Sequence, residues 1–231
     1  MKDYLNWQKY NGVKHCVRSD ATTNIFEKNI IEARYNWAIS RLQKHRFKSV
    51  LDVGCGLGYG TNLIFKEGFK ALEIDKSKTA IEVCKKRYPF INFIVGYFPQ
   101  NIKHKYDAIV ANEIIEHVPD HKVFIRECFS LLNSNGLLLL STRNRKYTKN
   151  RNPHHIHEFT LEELKSIFPK NKIRALSSHL LRGQRLLLLF MSKASLQRLM
   201  LAFSRLPIIH QLPEYSLYFL VEVIKNEKFS I

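Results

Sequence analysis

Between Ser49 and Thr142 the chain alternates short, almost wholly apolar runs with stretches of helical periodicity. SVLDV (49–53), KALEI (70–74), INFIV (91–95), YDAIVA (106–111) and GLLLLST (136–142) are the runs. A helix after the first run, SKTAIEVCKKR (77–87) and HKVFIRECFSLL (121–132) carry the helical spacing, the last with Phe124, Cys128 and Leu131 inward. Strands this continuously apolar need cover on both faces. Strand–helix alternation supplies it, as a parallel sheet between two layers of helices. Residues 26–45 predict a preceding helix with Ile31, Tyr35, Ala38 and Leu42 on one face. Thr160 and Glu163 have capping-box spacing, so a helix is expected to begin there. KIRALSSHL (172–180) and YSLYFLVEVIK (215–225) read as two last strands.

The first run ends in glycine: VLDVGCGLGYG, Val50 to Gly60. Gly54, Gly56 and Gly58 let the backbone turn sharply and let a ligand approach without a Cβ in the way. The next helix presents its free N–H groups to the same place. A dinucleotide fingerprint needs G-x-G-x-x-G, and its third position here is Tyr59. No G-K-[ST] follows, which excludes a phosphate-cradling P-loop. Asp75 ends the second strand, 19 residues after Gly56, where a carboxylate can accept from both hydroxyls of a ribose. Asp52 can orient the loop or receive a cationic group.

With 231 residues the chain suits one domain with a sizeable core. Residues 1–25 read as an N-terminal arm and 26–231 as a single domain. Cys16, Cys55, Cys84 and Cys128 are scattered with no C-x-x-C pair, which argues against a disulfide framework or zinc site and fits a reducing compartment. The first residues lack the apolar core of a secretory signal, and no run is long enough to span a bilayer. The expected location is cytoplasmic, with membrane association as an option. A net charge of +17 points to nucleic acid, an anionic membrane surface or an acidic substrate as partner, or to a solvated lysine-rich surface.

LDVGCGLGYG, EIDKSKTAIEVCKKR and YDAIVANEIIEHVPDHKVFIRECFSLLNSNGLLLLSTRNR together resemble class I S-adenosylmethionine-dependent methyltransferases, over about residues 26–170. Within that family the likeness is to the branch of ubiquinone-type and sugar or glycolipid O-methyltransferases. It implies a Rossmann-like, doubly wound seven-stranded sheet, mostly parallel with an antiparallel last strand. It implies S-adenosyl-L-methionine as cofactor and a small-molecule, lipid-linked or saccharide acceptor. By the same resemblance Gly54, Gly56 and Gly58 face the methionine part and Asp75 the ribose hydroxyls. Asn112 and Glu113 line the adenosine and methionine, and Arg34, 18 residues before Asp52, reaches the cofactor carboxylate. The family's usual Gly-Asp after the third strand is Gly96-Tyr97, so adenine would stack on Tyr97 or meet backbone groups. Its Pro-Gly-Gly before the fifth strand is Ser134-Asn135-Gly136, which keeps the turn chemistry.

Methyl transfer to a hydroxyl is an in-line displacement that gains from alignment and from a positioned base. His155 and Glu158, in RNPHHIHEF after the fifth strand, are expected to serve there together with His117 of the E-H-V run. No metal ligands are assigned; a divalent cation on His154, His155, His157 and Glu158 is the alternative, and helix capping by a polar loop is another. Leucine-rich residues 181–213, punctuated by arginine and lysine, read as a helical insert. It would act as a lid over the acceptor, a contact with anionic membrane or a dimer interface. An RNA methyltransferase is the reading the charge favours, but no appended RNA-binding module and no Asn/Asp-Pro-Pro-Tyr motif is present. A degenerate methyltransferase fold acting as a scaffold is the non-enzymatic reading. Oligomeric state is not legible.

Overall fold

The computed structural model describes residues 25–54, 56–149, 152–168, 173–181 and 216–225. The expectations for the N-terminal arm and for the basic insert lie outside them.

Seven strands form one sheet: β1 (Ser49–Val53), β2 (Lys70–Asp75), β3 (Asn92–Val95), β4 (Tyr106–Asn112), β5 (Leu132–Arg143), β6 (Ile173–Leu181) and β7 (Ser216–Ile224). Their order is β3-β2-β1-β4-β5-β7-β6. The first five pair in parallel, and β7 is antiparallel to both β5 and β6. The direction of winding reverses between β1 and β4, and open sheets of this kind bind ligands beyond the carboxyl ends of strands at such a point.

The unbroken apolar strands feed two cores. Leu51, Ile109, Leu138, Leu140 and Val221 point to one face, under α4 (His121–Ser130) and α6 (Leu161–Ser166). Their neighbours Val50, Ala108, Val110, Leu137, Leu139 and Leu220 point to the other, with Tyr35, Ala38 and Leu42 of α1 (Ile25–Lys44) and Ile64 of α2 (Tyr59–Lys66). Successive residues alternate faces because the strand period is two, and both sides are covered. α3 (Lys78–Arg87) closes the β3 edge through Ile81 and Cys84.

Helix boundaries follow local chemistry. Ser77, Asp120 and Asn144 cap α3, α4 and the single-turn α5 (Arg145–Thr148), accepting from Ala80, Val123 and Lys146. Thr160 and Glu163 form both halves of the expected capping box. α4 ends at Ser130 rather than at residue 132, because Leu132 already pairs with Tyr106 in the sheet. Asn135 takes a φ of 61° inside β5, where the register with β4 jumps between Leu132 and Leu137, and a Cβ on Gly136 would lie 2.9 Å from the Asp107 carbonyl oxygen. No described helix is long and apolar enough to cross a membrane.

Candidate functional site

Two groups of residues sit at the carboxyl edge of the sheet. The first is the glycine loop. Gly54 still donates to the Ile74 carbonyl at 2.8 Å, so the chain leaves the sheet immediately after it. Gly54, Gly56 and Gly58 have φ of 71°, 70° and 74°, a region that a Cβ disfavours. A Cβ on Gly54 would come 2.1 Å from the Ile114 side chain, whereas one on Gly56 would meet nothing within 4 Å. The loop is thus backed by Ile114 and open at Gly56. Asp75 is fixed beside it, taking the Gly56 N–H on Oδ2 at 3.2 Å and the Ser77 N–H on Oδ1 at 2.8 Å. α2 starts behind the loop with no capping side chain and no acid in its first turn, which leaves helix N–H groups for a polar ligand.

Asp52 lies beneath this loop, not in it. Its carboxylate is fully buried and accepts from the Tyr35 hydroxyl at 3.0 Å and the Thr61 hydroxyl at 2.7 Å. Of its two expected uses, orienting the loop fits this geometry and receiving a ligand's cationic group does not. Tyr97 is half-buried in the turn after β3, its carbonyl accepting from the Gln100 N–H at 2.6 Å.

The second group is made of side chains. Arg34 and Glu113 meet each other, Nη1 to Oε1, at 3.2 Å, and both are almost fully buried. Arg143 reaches the other oxygen of Glu113 through Nε at 3.1 Å. Both guanidiniums stand over the ring of Tyr218, at 4.6 and 5.3 Å. Glu113 holds a φ of 57°, which turns the chain out of β4 toward the two arginines. Next to it the side-chain nitrogen of Asn112 and the hydroxyl of Ser141 are buried without a hydrogen-bond partner among the described residues.

A histidine wall continues from there. Residues Ile115–His117 make one 3₁₀ turn, and the Ile156 and His157 N–H groups both donate to the Glu116 carbonyl, at 2.8 and 3.2 Å. That lashes loop 152–160 to the end of β4. His117 Nδ1 donates to the His154 carbonyl at 2.8 Å, so its Nε2 carries the lone pair. Burial lowers its pKa to about 4, which keeps the ring neutral. His155 stands 4.8 Å from it, ring edge to ring face. The Asn152 oxygen accepts the His154 N–H at 3.0 Å, which aims its amide nitrogen at His155 Nε2, 2.9 Å away. His155 Nδ1 then donates to Glu158 Oε1 at 2.6 Å, and Thr148 donates to the other Glu158 oxygen. Both ring nitrogens of His155 are therefore engaged within the protein, Nε2 by an amide and Nδ1 by a carboxylate. Glu116 is fully buried; burial first, and the charge of Glu113 second, push its carboxyl well above the usual range.

A family model described as a methyltransferase domain matches residues 29–202, three quarters of the chain. The chain belongs to the methyltransferase domain family. Among curated relatives, a probable S-adenosylmethionine-dependent methyltransferase of Mycobacterium tuberculosis is 33% identical over 127 residues, 52% of this chain and 46% of that protein. A ubiquinone biosynthesis O-methyltransferase of Coxiella burnetii is 34% identical over 106 residues, 43% of this chain and 45% of that one. The chain thus spans about half the length of the curated relatives it matches. Two solved structures share the fold at 16% identity. The plantazolicin methyltransferase BpumL has a TM-score of 0.64, covering 97% of this chain and 94% of its own. The N-methyltransferase NodS of Bradyrhizobium japonicum has a TM-score of 0.59, covering 97% and 98%.

In this methyltransferase domain the structure joins Gly54, Gly56, Gly58 and Asp75 in one place, and His117, His155 and Glu158 in another. Arg34 and Glu113 lie together as an ion pair. Sequence reasoning passed over Arg143, Tyr218 and Asn152. Arg143 had a weak signal as a cation closing an apolar strand at the ligand edge. Tyr218 had none, because its place beside Arg143 comes from the antiparallel pairing of β5 with β7.

Proposed function

We propose that this chain is an S-adenosylmethionine-dependent methyltransferase that methylates an oxygen of a small-molecule, lipid-linked or saccharide acceptor. The observation that carries the donor half is the tie between Gly56 and Asp75: an open glycine backbone and a carboxylate held in hydrogen-bonding register beside an uncapped helix. These residues fit a ribose-bearing cofactor, with Asp75 for its hydroxyls and the loop for its methionine part. Half-buried Asn112, whose side-chain nitrogen has no partner among the described residues, fits an acceptor atom on the same ligand. Arg34 would bind the carboxylate, exchanging Glu113 for it, and Tyr97 would cover the adenine. When bound, the cofactor supplies an electrophilic methyl on a sulfonium.

For the acceptor half, His117 is the residue we assign to take the hydroxyl's hydrogen bond at Nε2. His155 and Glu158 act behind it as positioning residues, since their polar atoms already serve one another. Residues 26–231 act as a single domain in this reading, and the insert at 181–213 as a lid over the acceptor.

Calorimetry with S-adenosylhomocysteine tests the donor half. Micromolar binding is expected, and Asp75→Ala should weaken it by about 1–3 kcal/mol, the cost of stranding buried polar partners. Folded protein that gives no heat with either form of the cofactor would sink the reading. The charge of +17 keeps an RNA acceptor as the second reading; RNA affinity that does not fall with rising salt would remove it.

A further inference from the structure

Glu116, His117 and His155 each bring one metal-ligating atom to within 4.8 Å of the others. Two come from the 3₁₀ turn after β4 and one from loop 152–160, and the paired N–H bonds to the Glu116 carbonyl fix the distance between those segments. Each histidine donates its Nδ1 proton away from the cluster, His117 to a backbone carbonyl and His155 to the Glu158 carboxylate. A ring N–H given to a carbonyl or carboxylate is how metal-binding histidines are oriented and their free nitrogen made more basic. The third group has an unmet need. Glu116 is fully buried, its Oε2 accepts from Thr142 at 3.0 Å, and its Oε1 has no hydrogen-bond partner among the described residues. A polar oxygen left so in the interior is costly, and a cation that displaces the carboxyl proton and takes this oxygen as a ligand removes that cost.

We propose that Glu116 Oε1, His117 Nε2 and His155 Nε2 form a binding site for a divalent transition-metal ion, with a coordination position left for another ligand. Two imidazoles and a carboxylate suit zinc, and also iron, nickel or copper, better than magnesium or calcium. The donor set contains no thiolate, so the scattered cysteines have no bearing on it. In a tetrahedral zinc site such donors stand about 3.4 Å apart. Binding therefore draws the three together and displaces the Asn152 amide from His155 Nε2. The site rests on the methyltransferase reading in one respect only: the remaining ligand would be the acceptor oxygen, with the cation polarising it and His117 serving as ligand in place of hydrogen-bond acceptor.

The test uses the full chain with Zn²⁺ in equilibrium dialysis and Co²⁺ as a spectroscopic probe. One ion per chain is expected, with the intense visible absorption of low-coordinate cobalt, abolished by competing zinc. Glu158→Gln should weaken binding by about 10–100-fold through the orientation of His155. His117→Gln should do at least as much. Asn152→Ala should strengthen binding, since it removes the competing amide, and no merely structural role for Asn152 gives that sign. Circular dichroism keeps loss of folding apart from loss of ligands. Absence of stoichiometric binding in folded wild-type chain, or binding unchanged in folded His117→Gln and Glu158→Gln, overturns the proposal. Metal bound by a chain that ignores S-adenosylhomocysteine would overturn the donor reading and leave this one standing.

Discussion

At the end of β1 the site is made of backbone. Three left-handed glycines, one helix terminus and a carboxylate all come from residues 54–77, and the bonds from Gly56 and Ser77 to Asp75 span 19 and 2 positions. At the ends of β4 and β5 it is made of side chains. Arg34, Glu113, Arg143 and Tyr218 come from four elements spread along the chain, and the histidine wall from two more segments. A backbone cradle suits a ligand common to a whole family. A side-chain wall can be exchanged residue by residue, and so suits the partner that differs between members. The two regions should also fail differently when perturbed.

The largest effect is expected in the side-chain region. Arg34→Ala leaves Glu113 buried with Arg143 still paired to it. Removing one member of a buried ion pair costs about 3–5 kcal/mol, and the second arginine should hold the loss near the lower figure. Urea unfolding measures it. Stability that does not change would mean that Arg34 is held for a ligand's carboxylate and that Glu113 is incidental.

The backbone region should break sterically. A Cβ on Gly60 would lie 1.9 Å from the Tyr35 ring, the ring whose hydroxyl bonds Asp52 beneath the loop. Gly60→Ala should cost about 1–3 kcal/mol by overpacking. It should also loosen cofactor binding, because α2 is pushed off α1 where the loop is anchored. A loss of stability with full affinity would show that the loop does not depend on its support.

How much could be read beforehand follows the same division. The glycine spacing and the acid at the end of β2 are short-range features, and strand context alone places them. Thr160 and Glu163 were legible for the same reason: a capping box is complete within four residues. Arg34 and Glu113 are 79 positions apart, and nothing local shows that each is the other's partner. RNPHHIHEF announces a polar cluster but not its order. Only the fold shows that Asn152 meets one ring nitrogen of His155 while Glu158 holds the other. A smaller test follows at the edge of that loop. Thr160→Ala removes the oxygen that accepts the Glu163 N–H at 3.2 Å and should cost about 1 kcal/mol, seen in thermal unfolding. Loop 152–160 leads directly into this cap, so a larger loss would show the histidine wall to be coupled to α6.

The smallest effect is expected at the opposite edge of the sheet, away from both regions, and only in acid. Asp107 near the start of β4 accepts from the Lys48 and Ser49 N–H groups, both at 2.9 Å, from the Ser49 hydroxyl at 3.0 Å and from the Asn133 amide at 2.8 Å. Its partial burial alone would raise the carboxyl, but these donors outweigh that and hold it below its ordinary value. A carboxyl whose folded pKa lies below the unfolded one, about 3.9, gives its full stabilisation above the unfolded value and loses it as pH falls through the folded value. Wild-type stability should therefore decline below about pH 4 in part through this group. Asp107→Asn should be less stable at pH 6 and decline less steeply in acid, while its affinity for S-adenosylhomocysteine at neutral pH stays that of the wild type. If affinity falls along with stability, the two regions are not separable from the frame that carries them, and their contrast is one of construction rather than of function.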